Sequence, residues 1–268
     1  MAQRPRIAPS QITDELYWVG VNAAAPAHLL KTDDGLVLID TASHTTVDEL
    51  FENIAALGFD VRDVKHIIHS HGHYDHVGAT RKIVEMTGAK TYVGAKDADA
   101  FSGKNKMLWC LHTPPENEND FYFEPDVLIT DGDSFSIGGV NMRFLETPGH
   151  TEGVLSMFFT VHHGGKEYIA GSFGGAGYNS LKDEYLDHFS LPYSLREDYI
   201  RSTERLMGER VDVHIGNHPG NNKHEDKAAR LTADYNPFVE EKTWLPFLID
   251  QRNGLIKKLN LDIPLIEG

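Results

Sequence analysis

Only one cysteine, Cys110, stands among the 268 residues, so no disulfide can close within the chain. A CxxC zinc site and a cysteine-rich scaffold are excluded with it. Basic residues are also scarce: 25 Lys and Arg face 40 Asp and Glu, a net charge of −15 with histidine neutral. Such a surface repels a phosphate backbone, so no nucleic-acid partner is expected. No run of about 18 apolar residues occurs, which excludes a membrane-spanning helix. The first residues, Met1-Ala2-Gln3-Arg4-Pro5-Arg6, carry basic side chains with no apolar stretch behind them. They do not read as a signal peptide, so the expected compartment is the cytoplasm. The alternative is a periplasmic or secreted protein whose leader was removed. The rest is ordinary for a globular chain, with 40% apolar and 24% charged residues. That is enough to bury a sizeable core, and one domain over residues 1–268 is expected.

The hydrophobic pattern alternates strands and helices at both ends around a strand-rich centre. Leu16–Val21, His28–Lys31 and Leu36–Ile39 read as strands, the last ending at Asp40. Residues 46–57 place apolar side chains at 47, 50, 51, 54 and 57, a helical period stopped by Gly58. Val64–His69 reads as a strand and Val77–Thr87 as a helix. Residues 101–126 are rich in polar residues and breakers, and read either as a flap near a site or as a plain surface loop. Strands follow at Val127–Thr130, Ser134–Ile137, Val140–Leu145, Leu155–Val161 and Tyr168–Gly171. The last third returns to a helix over Leu195–Met207, a strand at Val211–Ile215 and helical material from Glu225 onward. This order implies an α/β fold with sheets inside and helices outside.

The chemistry concentrates in His71-Gly72-His73-Tyr74-Asp75-His76. Four metal-capable side chains fall within six residues. From the chain's own 15 His and 22 Asp, chance would produce HxHxDH about 0.004 times. His71 and His73 can converge on one ion if the segment is extended, and Asp75 and His76 can reach a second as the chain turns into a helix. Imidazole nitrogen with carboxylate oxygen suits Zn²⁺. A catalytic zinc usually takes three protein ligands, so further donors are needed downstream. His150, in Thr147-Pro148-Gly149-His150-Thr151, and His218, in Gly216-Asn217-His218-Pro219-Gly220, both follow strands. Strand carboxyl ends are where α/β sites usually form.

Together, Asp40 after an apolar strand, HxHxDH, the Thr-Pro-Gly-His turn and a late strand ending in histidine resemble the metallo-β-lactamase fold superfamily. The resemblance covers nearly the whole chain and is most like the third subclass of class B metallo-β-lactamases. It implies a four-layer αββα sandwich of two mixed sheets with helices on the outer faces. It also implies two Zn²⁺ ions, the first held by His71, His73 and His150 and the second by Asp75, His76 and His218. Asp40 would support the ligand loop without binding metal, Ser172 would help hold a substrate carboxylate, and Tyr178 would line the site. Gly174 stands where that subclass often has a second hydroxyl.

Other branches of the superfamily, including hydroxyacylglutathione hydrolases, lactonases and tRNA-processing nucleases, carry a bridging Asp where this chain has Gly171-Ser172. The implied activity is opening of a cyclic amide in a small-molecule substrate, β-lactams first, by a hydroxide bridging the zincs and oriented by Asp75. A lactone, an ester or another amide is the alternative. No GxSxG serine-nucleophile motif is present.

Overall fold

The computed structural model describes residues 4–267. A first sheet runs in sequence order: β1 (Ser10–Gln11), β2 (Leu16–Trp18), β3 (His28–Thr32), β4 (Gly35–Ile39), β5 (Val64–Ile68), β6 (Lys90–Gly94) and β7 (Val127–Ile129). It is antiparallel up to β4 and parallel from β4 to β7. A second sheet has β8 (Ser134–Ile137), β9 (Val140–Glu146), β10 (Leu155–His163), β11 (Lys166–Ser172) and β12 (Val213–His214), in the order β12-β11-β10-β9-β8. Its strands are antiparallel except for the parallel β11–β12 pair. The helices are α1 (Val47–Ala56), α2 (Tyr74–Val77), α3 (Thr80–Thr87), α4 (Ala98–Phe101), α5 (Asp183–Phe189), α6 (Leu195–Met207), α7 (His224–Arg230), α8 (Pro237–Glu240) and α9 (Trp244–Leu259).

Period-two alternation assigns each face of the sheets to a different core. On β3, β4 and β5, Leu30, Val37, Ile39 and Ile68 turn toward the second sheet and meet Phe144, Met157 and Phe159. Their neighbours Leu29, Leu36, Leu38 and Ile67 turn outward onto Leu50 and Ile54 of α1 and Ile83 of α3. On the far side, Leu145 and Phe158 of the second sheet pack under Leu195 and Tyr199 of α6 and Trp244 and Leu255 of α9. Strands covered on both faces need apolar residues at successive positions, which is why Leu36-Val37-Leu38-Ile39 is an unbroken run. The result is the αββα layering expected from the resemblance.

Several boundaries differ from the sequence reading. The helix expected over Val77–Thr87 is two helices, α2 and α3, because Gly78 passes against the backbone of Ser43 and His44. A Cβ at Gly78 would lie 2.1 Å from the Ser43 carbonyl carbon. β2 stops at Trp18, and the late strand is only Val213–His214. β6 and α5 carry no strong periodic signal and were not expected. The 101–126 segment packs on itself: Phe101, Trp109 and Tyr122 are buried with Val77 and Val93.

Buried histidines outside the site give the fold a pH dependence. Burial lowers His28 to about 4, against a weaker pull from Asp40. His214 falls to about 3 through burial and Lys227, and His224 to about 3 through burial, His28 and Lys227. In the unfolded chain they titrate near the ordinary value of about 6.5. Below that pH the unfolded state binds protons that the folded state refuses. Stability is therefore full above about 6.5 and is lost as pH falls toward the folded values. The urea midpoint of chelator-treated protein is expected to drop steadily from pH 7 to pH 4.5. A flat profile over that range would contradict the burial of these rings.

Candidate metal centre

The site lies where the parallel strands of both sheets end. The chain leaves β5 and reaches His71 and His73, then enters α2, which carries Asp75 and His76. His150 sits on the turn between β9 and β10, and His218 on the loop after β12. Two carboxylates brace these loops. Asp97 accepts from Gly72 N (2.9 Å), Thr151 Oγ1 (2.7 Å) and Gly153 N (2.8 Å), tying the His71 loop to the His150 turn. Burial raises its pKa despite these three donors. Asp40, at φ 60°, accepts from Ser70 N (2.8 Å), Ser70 Oγ (2.7 Å) and His76 Nδ1 (2.7 Å). Burial alone would raise the Asp40 carboxyl, but the imidazoles of His76 and His69 reverse this and hold it below the usual carboxylate range.

The six residues form two triads. Donor atoms of His71, His73 and His150 lie within 4.8 Å of one another, as do those of Asp75, His76 and His218. Asp75 Oδ2 is 3.7 Å from Nε2 of both His76 and His218. Four of the five imidazoles spend Nδ1 on an acceptor elsewhere. His71 donates to Gly174 O (2.8 Å), His150 to Gly177 O (2.8 Å), His218 to Ala23 O (3.0 Å) and His76 to Asp40. Each is fixed with its Nε2 lone pair free. Among the described residues, Nε2 of His71 and of His76 is buried with no hydrogen-bond partner. His73 is reversed: its Nε2 lies 3.0 Å from Tyr185 Oη, and its Nδ1 lies 3.0 Å from His150 Nε2.

This donor set fits divalent metal. Two nitrogens bound to one tetrahedral zinc at about 2.0–2.1 Å stand about 3.3–3.4 Å apart, close to the His73–His150 separation. Orphaned buried lone pairs are costly unless something cationic accepts them. Burial also keeps His71 and His73 far below the ordinary histidine value, with further lowering by neighbouring imidazoles. It takes His150 down to about 4, and His218 is lowered too. Neutral imidazole is the form that ligates. His76 differs: burial opposes its charged form, but Asp40 and Asp75 outweigh this and raise its pKa.

A cavity of about 560 Å³ opens onto the triads. His71, His73, Asp75, His150 and His218 line it, with Cys110, Leu111 and His112 arriving from the flap. Ser172 and Tyr178, expected as substrate contacts, are not among the residues that line it. Ser172 is buried at the end of β11, paired with Met157. Tyr178 turns to the outer helix layer, where its hydroxyl lies 3.0 Å from the position of a Cβ on Gly254 in α9. That missing side chain is what makes room for the ring. Asn179, Ser180, Lys182 and Tyr185 form this wall instead. Sequence reasoning missed Tyr185, whose contact with His73 spans 112 residues.

The geometry also explains Gly174. A Cβ there would lie 2.1 Å from Leu155 O, so no hydroxyl-bearing residue fits without backbone movement. Gly174→Ser is expected to destabilise by about 2 kcal/mol or more through overpacking. A urea midpoint equal to that of the unaltered protein would contradict this packing.

The sandwich, the convergence of five histidines and one aspartate, and the strand-end location define a class of metal-dependent hydrolases. The family model of the metallo-beta-lactamase superfamily matches residues 23–218, and the chain belongs to that superfamily. It is similar to BJP-1, a subclass B3 metallo-beta-lactamase of Bradyrhizobium japonicum, with 26% identity and a TM-score of 0.83 over 95% of this chain and 94% of that one. It is likewise similar to the FEZ-1 metallo-beta-lactamase of Legionella gormanii, with 26% identity and a TM-score of 0.82 over 97% and 98% of the two chains. Among curated sequences, a hydroxyacylglutathione hydrolase of Rhodospirillum rubrum is 29% identical over 36% of this chain and 29% of its own. A beta-lactamase hydrolase-like protein of Agrobacterium fabrum is 40% identical over 33% of this chain and 19% of its own. The chain thus spans less than half the length of these curated relatives.

Proposed function

We propose that the protein is a dizinc hydrolase that opens cyclic amides, with β-lactams the leading substrate class. The observation that carries this reading is the set of two three-donor triads facing one cavity, with each imidazole's other nitrogen held by a hydrogen-bond partner. The likeness to subclass B3 lactamases over nearly the full chain adds support. In this reading His71, His73 and His150 hold one ion, and Asp75, His76 and His218 hold the other. When bound, the two ions would supply a water nucleophile at neutral pH and positive charge toward a carbonyl oxygen.

The protein's own residues do the remaining work. Asp75 is the one acidic donor of the two triads and orients water through its carboxylate. Asp40 fixes the His76 ring, and Asp97 sets the spacing between the ligand loops. Leu111 and His112 line the cavity. The proposed partner is a small molecule, consistent with a cavity of about 560 Å³.

A second reading is a hydrolase of the same type acting on a lactone, an ester or another amide. The absence of Ser172 from the cavity wall favours it, because a β-lactam carboxylate would need another partner there. Hydrolysis of a penicillin, a cephalosporin and a carbapenem by zinc-loaded protein, with a chelator control, separates the two. Fast chelator-sensitive turnover supports the first reading. No turnover of the panel, with zinc bound, discards the lactam assignment.

A further inference from the structure

Arginine in this chain is almost always paired with an acid. Ten of its eleven arginines form an ion pair with an Asp or Glu. Arg4 is the eleventh, and among the described residues no carboxylate pairs with it. In a chain with 40 acidic and 25 basic residues, an arginine without an acid is the exception that needs a reason. Arg4 is also the one arginine that lines the cavity of about 560 Å³.

The fold places it there. The segment before β1 lies along the loop after β2, where Ile7 N donates to Val21 O (2.8 Å). Arg4, three residues earlier, joins Ala23 and Ala24 in lining the cavity. Ala23 O accepts from His218 Nδ1 (3.0 Å), so this wall borders the second triad. The other cation lining the cavity, Lys182, follows Ser180, whose hydroxyl donates to His150 O (2.6 Å). Lys182 therefore belongs to the first triad's side. The carboxylates that line the cavity are Asp75, a member of the second triad, and Glu184, two residues beyond Lys182.

A guanidinium that faces a cavity without an acid of its own keeps its fork of donors for a ligand. That fork matches a carboxylate through two parallel N–H···O bonds. Long-range attraction does not draw an anion here, because the net charge of −15 repels one at a distance. Recognition has to come from a local contact. A phosphate is a poorer match, since its second charge needs a second cation and Arg4 shares its wall with Ala23 and Ala24.

We propose that Arg4 is the specificity residue of the cavity, holding a carboxylate of the substrate at the end that faces the second triad. The protein then takes anionic cyclic amides in preference to neutral ones. The proposal rests on the hydrolase reading above and deepens it by naming the charge that the substrate carries.

Two experiments test it. Zinc-loaded protein is given a cephalosporin as the free acid and as its methyl ester, and KM and kcat are compared in the unaltered chain, Arg4→Gln, Arg4→Lys and Lys182→Gln. Arg4 is exposed, so its replacement leaves the fold in place. Arg4→Gln is expected to raise KM for the acid about 10-fold and to leave KM for the ester unchanged. Its kcat moves much less, because the contact is the same in the ground and transition states. Arg4→Lys restores part of the loss, since it keeps the charge but not the fork. An unchanged KM for the acid in Arg4→Gln, or equal rises for acid and ester, overturns the proposal. A larger selective effect of Lys182→Gln overturns it as well. The second experiment reads binding without turnover, by calorimetric titration of intact benzylpenicillin into chelator-treated protein. Arg4→Gln is expected to weaken this binding about 10-fold. If no lactam is opened yet that loss is seen, the lactam reading falls and the carboxylate site stands. If lactams are opened but Arg4→Gln binds benzylpenicillin as the unaltered chain does, the hydrolase reading stands and this proposal falls. No binding to either protein also overturns it.

Discussion

His71→Ala is expected to reduce zinc bound at the first triad and lower turnover by roughly a thousandfold, while leaving the fold in place. The loss follows from removing one of three donors to an ion that contributes several kcal/mol of transition-state stabilisation, each 1.36 kcal/mol being about tenfold in rate. The fold is expected to persist for a local reason. The one hydrogen bond that His71 makes to another loop is to Gly174 O, and that carbonyl keeps a second donor, Asn217 Nδ2 at 3.0 Å. Its Nε2 has no partner to lose among the described residues. His66→Ala is the control. His66 lies on β5, outside both triads, and bonds Tyr92 Oη at 3.0 Å. Elemental analysis, circular dichroism and kcat on both variants decide the matter. Equal zinc content and rate in His71→Ala and the unaltered protein would show that the triad is not the working site.

Asp40→Asn is expected to spare the fold more than Asp40→Ala and still damage the second triad. Alanine strands three donors, namely Ser70 N, Ser70 Oγ and His76 Nδ1, in a buried place. At about 1–3 kcal/mol for each unsatisfied group, the cost is roughly 3 kcal/mol or more. It also puts alanine at φ 60°, a conformation that asparagine and aspartate tolerate better. Asparagine keeps one acceptor but replaces the other oxygen with a donor. If that donor faces His76, the ring must turn its lone pair to Nδ1 and its hydrogen to Nε2, toward the triad. Second-triad metal affinity is then expected to fall about 10- to 100-fold, the usual effect of losing a ligand's supporting partner. Metal titration and urea unfolding of both variants test this. Unchanged affinity in Asp40→Asn would mean that Asp40 does not set the His76 ring.

Much of this site was legible in the sequence because its ligands sit at the ends of strongly apolar strands. The run Leu36–Ile39 is covered on both faces, so it reads as a strand, and Asp40 falls at its end. Ile67-Ile68 does the same for His71 and His73. Spacing then marks the donors, since HxHxDH places two side chains on an extended segment and two on the first turn of α2. Three features were not legible. Gly78 reads as an unremarkable helix position, yet it splits α2 from α3 because another loop crosses it. The orientation of Tyr178 depends on Gly254, far along the chain in α9. Tyr185 carries no motif, and only the fold brings it to His73. Each depends on a contact between distant residues, which local propensity and periodicity do not encode. The same limit holds for the 101–126 segment, where Phe101, Trp109 and Tyr122 fill a small core of their own.

The most direct test of the account is the metal content of the protein after zinc loading and removal of excess ion, compared with His71→Ala and His218→Ala. The account predicts about two zinc equivalents in the unaltered chain, since each triad supplies the three protein donors a catalytic zinc takes. It predicts about one in each variant, lost from a different triad. No retained zinc, or the same content in all three proteins, would contradict the assignment of these residues as the metal centre.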